Sequence, residues 1–142
     1  MGVCAFVASG ANFDVDKYLH DTPFEVLCIF RKGDARPDAP DDGPRPDSGF
    51  AAVVSHDDFP HLHDQVGEAL DFLETHEEEL ERVKALGADH MALDFRVGPT
   101  EAVHRWTSDL IAAMARWQME LVFSVVETDE GNRPTRRRFK SR

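Results

Sequence analysis

Six side chains able to ligate a metal or carry a proton, His56, Asp57, Asp58, His61, His63 and Asp64, fall within nine consecutive positions. Imidazole and carboxylate are the donors of zinc centres and of general acid–base sites, so chemistry is sought here first. A helix offers ligands to one ion at i and i+4, whereas His61 and His63 are two residues apart and point well away from each other. His56 and His61 converge only if the turn ahead of the helix folds back. They are the single alternative for a metal, and no metal is expected. Cys4 and Cys28 lie on separate apolar stretches without CxxC-type spacing and read as buried, reduced thiols.

Nucleophilic catalysis needs a nucleophile, an orienting base and an oxyanion hole. No GxSxG elbow occurs, no GxxxxGK[ST] follows Gly33, and no GxGxxG occurs anywhere, so an NTP or dinucleotide enzyme is disfavoured. No catalytic residue and no cofactor is assigned, and the balance is against an enzyme. Two polar features remain. His90, Asp94 and Arg96 alternate on one strand and would face Glu120 and Ser124 if the two strands lie close. Arg31 and Lys32 stand at a strand end before Gly33, where a carboxylate or phosphate could dock on the cation pair. The plainer role, and the favoured one, is an ion pair of the Arg31 to Asp94 kind or charges that simply meet water.

The elements that must position these groups follow from apolar periodicity. Val3 to Ala8 is a short apolar run ended by Ser9-Gly10, a buried strand. Asn12 or Asp14 caps a short helix through Leu19, closed by Thr22-Pro23. Phe24 to Arg31 is apolar on both faces in its middle and reads as an interior strand. Gly33 to Ser48 holds four Pro and two Gly with no apolar residue larger than Ala, a loop whose length suits function or mobility, mobility foremost. Gly49 to Val54 is the third strand. Ser55-His56-Asp57-Asp58 with Pro60 starts a helix, and Thr75-His76-Glu77-Glu78 repeats the capping pattern, so a break is expected near Thr75 and a stop at Gly87. Glu74 and Glu77 to Glu79 read as a solvated face and a dipole-favoured first turn. Met91, Leu93, Phe95 and Val97 alternate cleanly. Gly98-Pro99-Thr100 then caps a helix with the stripe Val103, Trp106, Leu110, Met114 and Trp117, and Met119 to Val126 forms a last strand.

The order β-α-β-β-αα-β-α-β predicts an α/β chain of the α+β kind, a mixed five-stranded sheet with its main helices packed on one face. A ferredoxin-like core extended by a helix and a strand is the alternative. Residues 1–128 form the single expected domain and residues 129–142 a flexible basic tail. A chain of 142 residues with 42% apolar content and ten Phe has the material for one core.

Charge narrows the partners. The formal net charge is -11, yet Arg133 to Arg142 hold six bases and no acid, which leaves -17 on residues 1–132. Such a body repels phosphates and anionic lipid and attracts basic partners. Nucleic acid is therefore disfavoured except through the tail Arg133 to Arg142. No apolar run approaches the ~20 residues that span a bilayer, and Met1-Gly2-Val3-Cys4 lacks a signal-like flank, so no membrane partner and a cytoplasmic location are expected.

The series Phe13-Asp14-Val15-Asp16, Arg31-Lys32-Gly33-Asp34, Asp47-Ser48-Gly49-Phe50, Phe72-Leu73 and Leu93-Asp94-Phe95 resembles a bacterial domain-of-unknown-function family with an NFDVD…RKG…SGF…FL…LDF pattern. The likeness runs from about Val3 to Val126 and implies a small stand-alone bacterial α/β protein, without catalytic residues to carry over. The chain departs from a Leu-Tyr-Pro ending at Phe123-Ser124-Val125-Val126. Together these observations favour a non-catalytic interaction domain, immunity- or antitoxin-like, for a basic partner. Two readings stay beside it. One is a small-molecule or anion binder, enzyme included, using Arg31, Lys32, His90, Asp94, Arg96 and Ser124. The other is a passive homo-oligomeric building block joined through sheet edges or the Trp-bearing helix.

Overall fold

The computed structural model of the chain describes residues 4–36, 39–55, 62–98 and 103–125. Its elements are β1 (Cys4–Gly10), α1 (Val15–Leu19), β2 (Val26–Phe30), β3 (Ser48–Ser55), α2 (Leu62–Thr75), α3 (Glu77–Ala85), β4 (His90–Val97), α4 (Ser108–Arg116) and β5 (Glu120–Val125), with a 3-10 turn at Pro40–Asp42. The strands form one sheet in the order β2-β3-β1-β4-β5. β1 runs antiparallel to β3 and β4, and β2 antiparallel to β3, while β4 and β5 are parallel. Three connections cross over: the segment with α1 passes β3 between β1 and β2, α2 and α3 pass β1 between β3 and β4, and the segment containing α4 joins the adjacent parallel pair β4 and β5. The expected mixed five-stranded α+β fold is the observed one.

Strand register explains where the core sits. Phe6 lies between Ala52 and Leu93, and Ala8 between Phe50 and Met91, so these side chains share one face and all are buried. Helix α2 covers that face with Leu62, Val66, Ala69 and Leu73, which recur at helical spacing. Seen from the other side the sheet is lined by Ala5, Val7, Ala51 and Val53, all partly accessible, with His90 and Arg96 exposed. Gly49 is required where β3 passes between β1 and β2: a Cβ there would collide with the Ala8 carbonyl oxygen and stand 2.6 Å from the Phe30 ring.

The helix pair breaks where expected, between Thr75 and Glu77. The N-cap is His76 and makes no side-chain capping bond; Glu77, Glu78 and Glu79 instead place negative charge at the positive end of α3. Gly87 ends the unit at φ +110°, with the Asn12 carbonyl oxygen 2.5 Å from where a Cβ would stand. Tyr18 ties α1 to this pair. Its ring stacks on Phe50 at 5.1 Å, the Arg82 guanidinium lies 4.7 Å from its centroid, and its hydroxyl donates to Glu79 Oε1 at 2.9 Å.

Three expectations are corrected. β2 is an edge strand, with Leu27 and Ile29 exposed, because apolar residues on both faces do not require two strand neighbours. Cys28, expected to be buried, is exposed on that edge, whereas Cys4 is buried. Helix α4 begins at Ser108: Thr107 Oγ1 accepts from the Leu110 N–H at 3.2 Å, which makes Thr107 the cap. Val103 and Trp106 therefore precede the helix, Val103 is 60% exposed, and only Leu110, Met114 and Trp117 of the expected stripe are buried. Residues 99–102 with the expected cap Thr100, the Ser55–Pro60 capping segment beyond Ser55, and the tail lie outside the described residues. The loop after β2 is tied at its base by Gly33 N–H to the Arg45 carbonyl and Arg45 N–H to the Asp34 carbonyl, both 2.9 Å. No helix among the described residues is long and apolar enough to cross a membrane.

Candidate functional site

The residues singled out by type do not assemble into one site. Arg31, at the end of β2, gives its guanidinium to Asp16 on α1, with Nη2 2.6 Å from Oδ1 and Nε 3.2 Å from both carboxylate oxygens. This pairing, and not one with Asp94, holds the Asp16 carboxyl below its ordinary value. The Arg31 backbone N–H bonds Asp34 Oδ2 at 2.8 Å and the Lys32 N–H bonds Ser48 Oγ at 2.9 Å, which builds a turn held by its own acids and hydroxyls. The cation pair thus has one member already engaged.

β4 and β5 are neighbours, and their register places Ala92 opposite Glu120, Asp94 opposite Val122 and Arg96 opposite Ser124. His90 Nε2 stands 3.4 Å from Glu120 Oε1, and Arg96 Nη2 3.7 Å from Asp94 Oδ2. The sequence therefore named true neighbours. His90 and Arg96, however, are six residues apart on one strand, about 20 Å at ~3.3 Å per residue, with Ala92 and Asp94 between them. Arg31 and Lys32 follow β2, three strand positions from β4, or roughly 14 Å at ~4.8 Å per strand. No small ligand touches both sets. His56 and His61 lie outside the described residues. Among the described residues no group of three or more His, Cys, Asp or Glu is placed to hold a metal, and His63 and Asp64 are simply exposed on α2.

A different place has the features of a recognition site. Between the β2–β3 edge and α2 runs a groove of about 290 Å³ lined by Pro23, Phe24, Glu25, Val53, Val54, Glu68, Asp71, Phe72 and His76. Its aromatic wall is one cluster: Phe24 and Phe72 are 5.0 Å apart, and the His76 ring meets Phe24 edge-on at 5.1 Å and Phe72 at 4.9 Å. The local folding is explicit. Glu68 and Asp71 are three residues apart and share a face of α2, and Thr22 Oγ1 accepts from the Phe24 N–H at 3.2 Å, fixing the turn before β2. The Glu25 carbonyl accepts from the Val53 N–H at 2.9 Å, which holds the Pro23–Glu25 segment against β3.

Glu68 and Asp71 line the groove together with Phe24, Phe72 and His76, a combination complementary to a guanidinium or ammonium group: acids supply charge and aromatic faces supply cation–π attraction. Sequence reasoning missed this groove. The i, i+3 pair Glu68 and Asp71 was a visible signal, but nothing in the sequence paired α2 with the residues ahead of β2. Comparison of the chain with protein-family models, with curated proteins and with solved structures finds no match.

Proposed function

We propose that this chain is a non-catalytic protein-interaction domain, cytoplasmic and immunity- or antitoxin-like, that receives a basic side chain of a partner in the groove between α2 and the β2–β3 edge. The observation that carries the reading is the lining itself, with Glu68 and Asp71 of α2 on the same groove as Phe24, Phe72 and His76. The surrounding body supports it, since -17 on residues 1–132 steers a cationic partner toward the surface and raises the encounter rate about 10- to 1,000-fold at low salt. The small-molecule or anion reading has less support, because Arg31 is engaged by Asp16 and the polar groups of β4 are spread along the strand. Grouping with the bacterial family rests on the five motif landmarks alone.

The test uses the full chain and a short arginine-bearing peptide as probe. Calorimetric titration at low salt is expected to show binding that weakens as salt rises. Glu68→Gln with Asp71→Asn should remove most of it, while Glu78→Gln with Glu81→Gln, the same loss of charge elsewhere on the helices, should leave most of it. Equal losses for both pairs would mean bulk charge without a site and would refute the groove.

A further inference from the structure

The chain carries its own source of basic charge for the groove. Six bases and no acid fill Arg133 to Arg142, and the chain enters this tail from β5, which ends at Val125. The two groove acids on α2 are not matched by a nearby cation: among the described residues no ion pair engages Glu68 or Asp71, whereas Glu77 and Glu79 of α3 are held by Arg116 and Arg82. Strand register fixes where the tail begins. Val122, Asp94, Ala5 and Val53 stand in one row across β5, β4, β1 and β3, and β5 runs in the same direction as β3. The chain therefore leaves β5 at the end of the sheet where Val53 and Val54 line the groove. Three strand spacings and the three residues from Val122 to Val125 separate that exit from Val53, roughly 17 Å at ~4.8 Å per spacing and ~3.3 Å per residue. Arg133, eight residues past Val125, has about 26 Å of extended chain behind it, and Arg136 to Arg138 have about 36 Å or more, enough to pass around the surface.

We propose that the tail Arg133 to Arg142 docks in the groove of its own chain, an arginine of the Arg136 to Arg138 run sitting with Glu68 and Asp71 against the Phe24 and Phe72 rings, so that a basic partner binds by displacing it. The inference rests on the groove as the site for a basic side chain and adds its regulation. Charge complementarity selects the occupant: six bases meet a body of formal charge -17. The groove, and not the acidic surface at large, is the seat because it joins carboxylates to aromatic faces, which attract a guanidinium beyond bulk charge. The tether selects the chain's own tail over that of a second copy. A tethered segment acts at about millimolar effective concentration, well above a micromolar solution of separate copies, and two chains of formal charge -11 repel.

A nitroxide on the tail of the full chain tests this, placed by Ser141→Cys in a Cys28→Ser background, Cys4 being buried. At low salt the label should broaden the amide resonances of Val53, Val54, Asp71 and His76. Glu68→Gln with Asp71→Asn should abolish the broadening, while Glu78→Gln with Glu81→Gln retains it. Label and isotope on separate molecules should give none. Arg136→Gln, Arg137→Gln and Arg138→Gln together should tighten binding of the arginine-bearing peptide about threefold or more, a gain absent when Glu68→Gln and Asp71→Asn are also present. Broadening that spreads over the acidic surface, persists in the groove double variant or is equal in the mixed sample overturns the tail's docking. So does a peptide that binds the groove equally with the tail intact and neutralised, an outcome that leaves the groove reading standing. A peptide that binds neither chain refutes the groove reading itself, and this inference with it.

Discussion

Tyr18 is the chain's one tyrosine, which makes it a spectroscopic reporter of its own environment. Its hydroxyl donates to Glu79 Oε1 at 2.9 Å and accepts from Thr22 Oγ1 at 3.1 Å, and Glu79 in turn meets Arg82 Nη1 at 3.4 Å. Burial, with the Glu79 carboxylate beside it, pushes the phenol well above its ordinary range. Tyr18→Phe keeps the ring stacked on Phe50 and deletes only the hydroxyl. A hydrogen bond to a charged group contributes about 1.5–3 kcal/mol, and Glu79 retains Arg82 and some solvent, so a loss of about 1–2 kcal/mol is expected at neutral pH by urea unfolding. The pH dependence has a definite sign. A phenol with a raised folded pKa contributes stability that is complete below the unfolded value of about 10 and is lost as pH rises through the folded value. Wild type should therefore lose stability above about pH 10 more steeply than Tyr18→Phe. Tyrosinate absorbance should rise only at higher pH, together with unfolding. A reversible titration near the ordinary value in the folded chain would refute this reading of the cluster.

Further expectations follow from single contacts. Gly49→Ala should destabilise the fold by about 1–3 kcal/mol or more, measured by urea unfolding, because the Ala8 carbonyl and the Phe30 ring occupy the Cβ position. Thr107→Ala should cost about 1 kcal/mol, read by the same assay, because it removes the cap that starts α4 at Ser108. Asp16→Asn should lower the neutral-pH unfolding midpoint only slightly, since the Arg31 pair is exposed. On the acid side the depressed Asp16 carboxyl contributes stability present above its unfolded value and lost as pH falls through its folded value, so this variant should show a shallower decline below about pH 4.

What the sequence revealed depended on how many elements a feature spans. Met91, Leu93, Phe95 and Val97 alternate so cleanly that β4 and its buried face were evident from one stretch. The break after Thr75 was equally local. Leu27 and Ile29 misled for a physical reason: a strand apolar on both faces is what a central strand needs, yet here those side chains face water at an edge. The start of α4 was misplaced because Gly98-Pro99-Thr100 is a stronger-looking stop than Thr107-Ser108-Asp109, although the latter contains the cap. Arg31 drew attention as half of a cation pair with Lys32, its plainer role an ion pair of the Asp94 kind; the partner is Asp16, fifteen residues earlier, which only the packing of α1 beside the end of β2 brings near. The groove lay beyond local reading, since its wall combines Phe24, Val53 and Asp71 from three segments that only the completed sheet and α2 bring together.

Recognition by this chain turns on whether a cationic group selects that groove from an otherwise acidic surface. Backbone amide resonances of the full chain, followed during titration with the arginine-bearing peptide at moderate salt, read this residue by residue. The prediction is a set of saturating shifts confined to Phe24, Glu25, Val53, Val54, Asp71 and His76, with α4 and β4 unmoved. Shifts spread evenly over the acidic residues of α2, α3 and the loop after β2, without saturation, would contradict it.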